Sequence, residues 1–212
     1  MLRTLAPEAT VRVFPNRGRD LYPKLFGFQD AYASHDIVLH LHAKRPPEPG
    51  VREGWLDHIL ERILPSPEGI EAILALFDEI PRLGLVSPAP FPETAQGLVW
   101  GPNRALADVL AWSAGWPPLP RNSELHFPAG SMCWARTSAL QPLLDLNLPA
   151  EAFSENPVRR DGTLAHAFER LLGVAPGIVG MRQVFIDGFA SDAPRGDAMT
   201  RKIASELGRA PR

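Results

Sequence analysis

Short strand-like runs alternating with amphipathic helical stripes predict an α/β layered domain. Three observations carry that expectation. Asp36 to His42 (DIVLHLH) alternates apolar and polar residues with period two, as a half-buried strand does. Trp55, Leu56, Ile59, Leu60, Ile63 and Leu64, and then Ile70, Ile73, Leu74, Phe77 and Ile80, recur at helical spacing. Between that second stripe and the next helical pattern, Leu83-Gly84-Leu85-Val86-Ser87-Pro88 reads as a buried strand. With 212 residues, 45% of them hydrophobic, the chain can fill one core and is short for two.

In chain order, Val11-Arg12-Val13-Phe14 is expected as a first strand, closed by Pro15. The polar cluster Asn16-Arg17-Gly18-Arg19-Asp20 follows, then a helix from Leu21 into Phe28. In the second strand Ile37, Leu39 and Leu41 share one face. Val38, His40, His42 and, with the strand continued, Lys44 share the other. Pro46, Pro47, Pro49 and Gly50 make a loop. Ser66-Pro67-Glu68 is a helix start, a cap followed by proline at the first helical position, and Pro81 stops that helix. A helix is expected within residues 100–120, and a glycine turn leading into a strand over Phe127 to Arg136 (FPAGSMCWAR). Further helices are expected over Ser138 to Leu146 and from Asp161 to Leu172, the latter closed by Gly173, with a last strand at Val184-Phe185-Ile186. The strands Val11–Phe14, Ile37–His42 and Leu83–Val86 are expected side by side in one sheet. Residues 1–190 then form a single domain and residues 191–212 a polar tail.

Composition narrows the function classes. The 22 Lys+Arg against 24 Asp+Glu argue against bulk nucleic-acid binding, which needs a basic surface. The 23 prolines, about double the usual frequency, punctuate the apolar segments as turns and helix starts. A single cysteine, Cys133, leaves no internal disulfide and suits a reducing compartment. The first residues lack a signal peptide's apolar core, and no run approaches the ~18 apolar residues that span a bilayer. The expectation is a cytoplasmic domain.

Several residues have the chemistry of a site. Asn16 to Asp20 follow a predicted strand, where open α/β sheets place ligand loops. Two arginines around a glycine can close on a diphosphate, and the same five residues also make an ordinary charged turn. His40, His42 and Lys44 suit a sugar or phosphate contact, or a pair of half-buried structural histidines. A metal at His40 and His42 is not expected, because no third ligand is evident and Lys44 would repel a cation. On the last helix Thr163, His166 and Arg170 lie on one polar stripe with Glu169 at its edge, while Asp161 suits a helix cap or a base.

Six segments, in order, carry a resemblance. They are Pro15-Asn16-Arg17-Gly18-Arg19-Asp20, Leu41-His42-Ala43-Lys44, Trp55 with its helix, and Leu83 to Pro88. Then come Phe127-Pro128-Ala129-Gly130-Ser131-Met132-Cys133-Trp134-Ala135-Arg136 and Asp161-Gly162-Thr163-Leu164-Ala165-His166-Ala167-Phe168-Glu169-Arg170. Together they resemble the rhamnan synthesis F family. That resemblance implies a glycosyltransferase of bacterial rhamnan or lipopolysaccharide assembly. It would use a nucleotide-activated sugar, such as dTDP-rhamnose, and a glycan acceptor, with no cofactor. Peripheral association with the membrane assembly machinery, at the inner face, is compatible with it.

The implied fold is an open mixed sheet flanked by helices, similar to GT-A transferases. Only fifteen residues precede Asn16, so the fold is expected short of part of the N-terminal nucleotide-binding half. Where GT-A enzymes carry Asp-x-Asp, this chain has His40-x-His42-x-Lys44. The resemblance implies catalytic roles for Asp161 and His166. It implies donor contacts by Asn16, Arg17, Arg19, Asp20, His42 and Lys44, and acceptor contacts by Gly130, Ser131, Trp134, Glu169 and Arg170. A non-catalytic module binding glycan or nucleotide sugar, truncated or partnered with another transferase, is the alternative.

Overall fold

Four strands form one open mixed sheet with helices on both faces, in a computed structural model that describes Thr4 and residues 6–43, 54–155 and 161–187. The strands are β1 (Ile37–His40), β2 (Leu83–Pro88), β3 (Cys133–Arg136) and β4 (Arg182–Ile186), in the order β1-β3-β2-β4. β3 runs antiparallel to both β1 and β2, and β4 runs parallel to β2. The main helices are α1 (Leu21–Gly27), α2 (Gln29–Ser34), α3 (Trp55–Ile63), α4 (Pro67–Glu79), α5 (Arg104–Ser113), α6 (Thr137–Leu144), α7 (Leu164–Leu171) and α8 (Ala175–Ile178).

Alternation along the strands sorts side chains into two cores. On one face Val38, Leu85, Cys133 and Ala135 meet residues of α1, α2, α5, α6 and α7, among them Leu25, Leu140 and Phe168. On the other, Ile37, Val86 and Ile186 meet Ile73, Leu76 and Phe77 of α4. Leu39 and Met132 meet Trp55, Ile59 and Ile63 of α3 on that second face. Each fully buried Leu, Ile or Phe contributes about 1.5–3 kcal/mol of apolar burial. A register shift between Leu83 and Leu85 turns Leu83 toward the same side as Val86. α4 begins as its sequence dictates: Pro67 stands at the first helical position and the Ser66 side chain accepts from Gly69 N–H at 3.4 Å.

Three expectations need correction. Val11–Phe14 is no strand: Val11 and Val13 are exposed, and Phe14 packs on Tyr22 and Phe28. Two β-branched residues in alternation can be extended without a ladder partner. β1 and β2 share a sheet but are not neighbours, because β3 pairs between them. β1 also ends at His40, so His42 is past the ladder rather than in it. Lys44 and the tail at 191–212 lie outside the described residues. Among the described residues, no helix is long and apolar enough to cross a membrane.

Candidate functional site

A cleft of about 370 Å³ opens at the carboxyl end of β1, which antiparallel pairing sets beside the amino end of β3. Its walls are Arg19, Asp20 and Leu21 at the start of α1, His42 and Ala43 past β1, Gly130 and Ser131 before β3, and Ala165, His166 and Glu169 of α7.

Both loops that enter the cleft turn on a glycine followed by a strained residue. Gly18 has φ +66° and Arg19 φ +57°; Gly130 has φ +90° and Ser131 φ +56°. Neither glycine has room for a side chain: a Cβ would come within 2.6 Å of Tyr22 at Gly18 and 2.5 Å of Trp55 at Gly130. Non-glycine residues in the left-handed region cost of order 1–3 kcal/mol and gather where the surroundings over-determine them. Here they aim Arg19 and Ser131 at the same space.

Asp20 anchors one wall. Its Oδ2 accepts from Lys24 Nζ at 2.8 Å and from Ser131 Oγ, with His42 Nε2 4.0 Å away. Burial alone would raise its pKa. The charges of Lys24 and His42 and the hydrogen bonds from Lys24 and Ser131 outweigh that and hold it at about 2. Lys24 also donates to Ser131 O at 3.0 Å and Oγ at 3.2 Å, and these two bonds tie α1 to the turn before β3. His42 Nε2–H donates to Gly130 O at 2.7 Å, and Glu169 Oε1 accepts from Gly130 N–H at 2.6 Å.

Arg19 NH1 lies 2.7 Å from His166 Nε2, and Thr163 Oγ1 lies 2.7 Å from His166 Nδ1. A guanidinium only donates, so Nε2 is the acceptor and the ring proton sits on Nδ1. Burial first, then the Arg19 charge, lowers the His166 pKa and keeps the ring neutral at pH 7.

The sequence-predicted site residues therefore divide. Arg19, Asp20, His42, Gly130, Ser131, His166 and Glu169 line one cleft. Asn16 does not line it, and Arg17 turns away to Phe153 O at 3.0 Å and Glu155 Oε2 at 3.2 Å. Trp134, expected at the acceptor, is on the opposite face of β3, where its Nε1–H donates to Ile63 O at 2.7 Å. Arg170 is buried and donates to Val99 O, His166 O and Asp161 Oδ2. Asp161 is not the cap of α7; Thr163 occupies that position. The Asp161 carboxylate instead accepts from Asn103 Nδ2 at 2.8 Å and Gly162 N–H at 3.0 Å. Burial would raise its pKa, but those bonds and the charges of Arg170 and His166 lower it. It does not line the cleft. His40 is sealed inside, its Nε2 2.7 Å from the Tyr32 hydroxyl. Sequence reasoning missed Lys24, although Asp20 and Lys24 stand at the i, i+4 spacing of a helical ion pair.

The family model for rhamnan synthesis protein F matches residues 1–177. The chain belongs to that family. Membership links it to rhamnan and polysaccharide biosynthesis. The uncharacterized protein WxcX, from two strains of Xanthomonas campestris pv. campestris, is 36% identical to it over 169 residues. That alignment covers 79% of this chain and 24% of WxcX, so the chain spans about a quarter of the length of these relatives. No solved structure matches the chain significantly.

Proposed function

We propose that this family member is a glycosyltransferase unit. It moves a sugar such as rhamnose from a nucleotide-linked donor to a hydroxyl of a growing surface glycan. One observation carries the reading: a single cleft combines an exposed guanidinium, Arg19, with the carboxylates Asp20 and Glu169 and a neutral imidazole, His166. Transfer from a nucleotide sugar asks for these groups together. The bond between the anomeric carbon and the diphosphate breaks with its electron pair on the diphosphate, where Arg19 meets the growing charge. The acceptor oxygen bonds to that carbon, and its proton passes to His166 Nε2. Asp20, His42 and Glu169 contact sugar hydroxyls beside them. Of the two residues put forward for proton transfer, His166 lines the cleft and Asp161 does not.

We place the reaction on the cytoplasmic side of the membrane, since charged nucleotide sugars do not cross bilayers. A sheet-and-helix plan similar to GT-A transferases fits the reading. The second reading is a non-catalytic sugar-nucleotide or glycan module of a longer assembly, favoured by the quarter-length match to WxcX.

His166→Asn separates them. It should retain dTDP-rhamnose binding, read by saturation-transfer NMR, and lower transfer roughly 10²–10⁴-fold. Wild-type chain that binds no nucleotide sugar would remove the transferase reading. Binding without transfer or donor hydrolysis would favour the module.

A further inference from the structure

The transferase reading needs His166 Nε2 to take a proton, yet Arg19 occupies that nitrogen at 2.7 Å. The opposite nitrogen is committed to Thr163 Oγ1, so the ring cannot present another lone pair by exchanging tautomers. While Arg19 stays, His166 is a filled acceptor. Arg19, however, is exposed, on a turn whose backbone holds two successive residues at positive φ. Its partner is neutral. A phosphoryl oxygen carries formal charge and offers the fork-shaped contact that a guanidinium prefers, so it outcompetes an imidazole nitrogen.

We propose that Arg19 is a ligand-operated cap on His166: the diphosphate of a bound donor draws the guanidinium off Nε2 and so uncovers the imidazole as a proton acceptor. This rests on the donor reading and deepens it. It makes the base available only once donor is seated, so donor binding precedes activation of the acceptor. The charged groups facing His166 agree with the direction. Arg19 from the loop and Arg170 from the next turn of α7 disfavour its protonation, while Glu169 and Asp161 favour it. Withdrawing Arg19 leaves two carboxylates against one arginine, and proton affinity rises.

The test is imidazole ¹H–¹⁵N NMR of the full chain across pH, with wild type and Arg19→Ala, each alone and with dTDP or inorganic pyrophosphate. Ligand affinity is read separately by calorimetry. Wild type alone should show the Nδ1–H tautomer and a His166 pKa below the usual 6.5. Added dTDP should raise it, and pyrophosphate should do the same, since the oxyanion operates the cap. Arg19→Ala should show the raised value without ligand, respond little to dTDP, and bind dTDP roughly tenfold or more weakly, the scale for a charged hydrogen bond. Binding of dTDP that leaves the His166 titration unmoved would overturn the cap and leave the donor reading intact. An unmoved titration in Arg19→Ala alone would overturn it too. No binding of dTDP or pyrophosphate to wild type would remove the donor reading and the cap together.

Discussion

The cleft wall and the polar groups away from it are made of the same residue types, and they differ in whether they border the shared cleft. At the wall, Arg19, Asp20, His166 and Glu169 are hydrogen-bonded and still border the cleft. Away from it, Asp161 is held by Asn103, Gly162 and Arg170, and Arg170 spans Val99, His166 and Asp161. His40 is closed against Tyr32, whose hydroxyl donates onward to Lys24 O at 2.9 Å. These hydrogen bonds join elements, α7 to the start of α5 and β1 to α1 and α2, while the buried His40 Nδ1 has no hydrogen-bond partner among the described residues. A charged residue in a motif is thus a site candidate only where the fold sets it against the shared cleft.

The largest expected effect tests the interior. Burial, the dominant cause, pushes His40 down to about 3 from 6.5. The Lys24 charge adds to that, and Asp20 opposes it. A folded-state pKa below the unfolded one means that the folded state resists protonation. The contribution is therefore whole above pH 6.5 and is lost as pH falls toward 3. At 1.36 kcal/mol per unit the loss is about 5 kcal/mol. The denaturant midpoint of wild type should fall relative to that of His40→Leu over that window, because the variant has nothing to protonate there. A constant difference would mean that His40 charges freely in the fold, and that the interior is as open as the wall.

A smaller effect of the same sign belongs to the wall. Asp20, held at about 2 against 3.8, contributes about 2 kcal/mol above pH 3.8, lost as pH falls toward 2. Wild type and Asp20→Asn should therefore lose their difference only below pH 4, well after the His40 loss has begun. If the Asp20 difference faded near pH 6, the Lys24–Asp20–Ser131 cluster would be far looser than its bonds indicate.

The elements legible in the sequence were those whose pattern is local. Period-two alternation in Ile37–His40, the apolar stripes of α3 and α4, and the Ser66-Pro67 start appear where residue spacing puts them. Val11–Phe14 misled because extended preference does not supply a pairing partner, and a lone segment cannot show that it lacks one. The insertion of β3 between β1 and β2 is a long-range pairing that no local period encodes. Site residues divided the same way. The loops were identifiable as polar clusters, but the separation of Arg17 from Arg19 depends on two positive-φ residues in succession. Trp134 and Cys133 are adjacent in sequence and face opposite cores, so the glycine motif before them could not be carried whole into the cleft.

The smallest expected effect is also the sharpest test of the comparison. Asp161→Asn keeps an oxygen that can accept from Asn103 Nδ2 and Gly162 N–H, and it removes the charge facing Arg170 at 3.3 Å. The Asp161 side chain is 38% exposed, so water screens that pair and the stability change should be under about 1 kcal/mol. A carboxylate already committed to three donors, its pKa lowered, is a weak proton acceptor near neutral pH. Transfer by Asp161→Asn should then stay within a few-fold of wild type, with donor affinity unchanged. His166 loses one favourable carboxylate in the variant, so any small fall in rate should come with a lower His166 pKa rather than a changed donor affinity. A loss of roughly 10²–10⁴-fold at intact donor affinity and an unmoved His166 titration would instead make Asp161 the base. Proton transfer would then have to run at Asp161, outside the cleft that His166 lines.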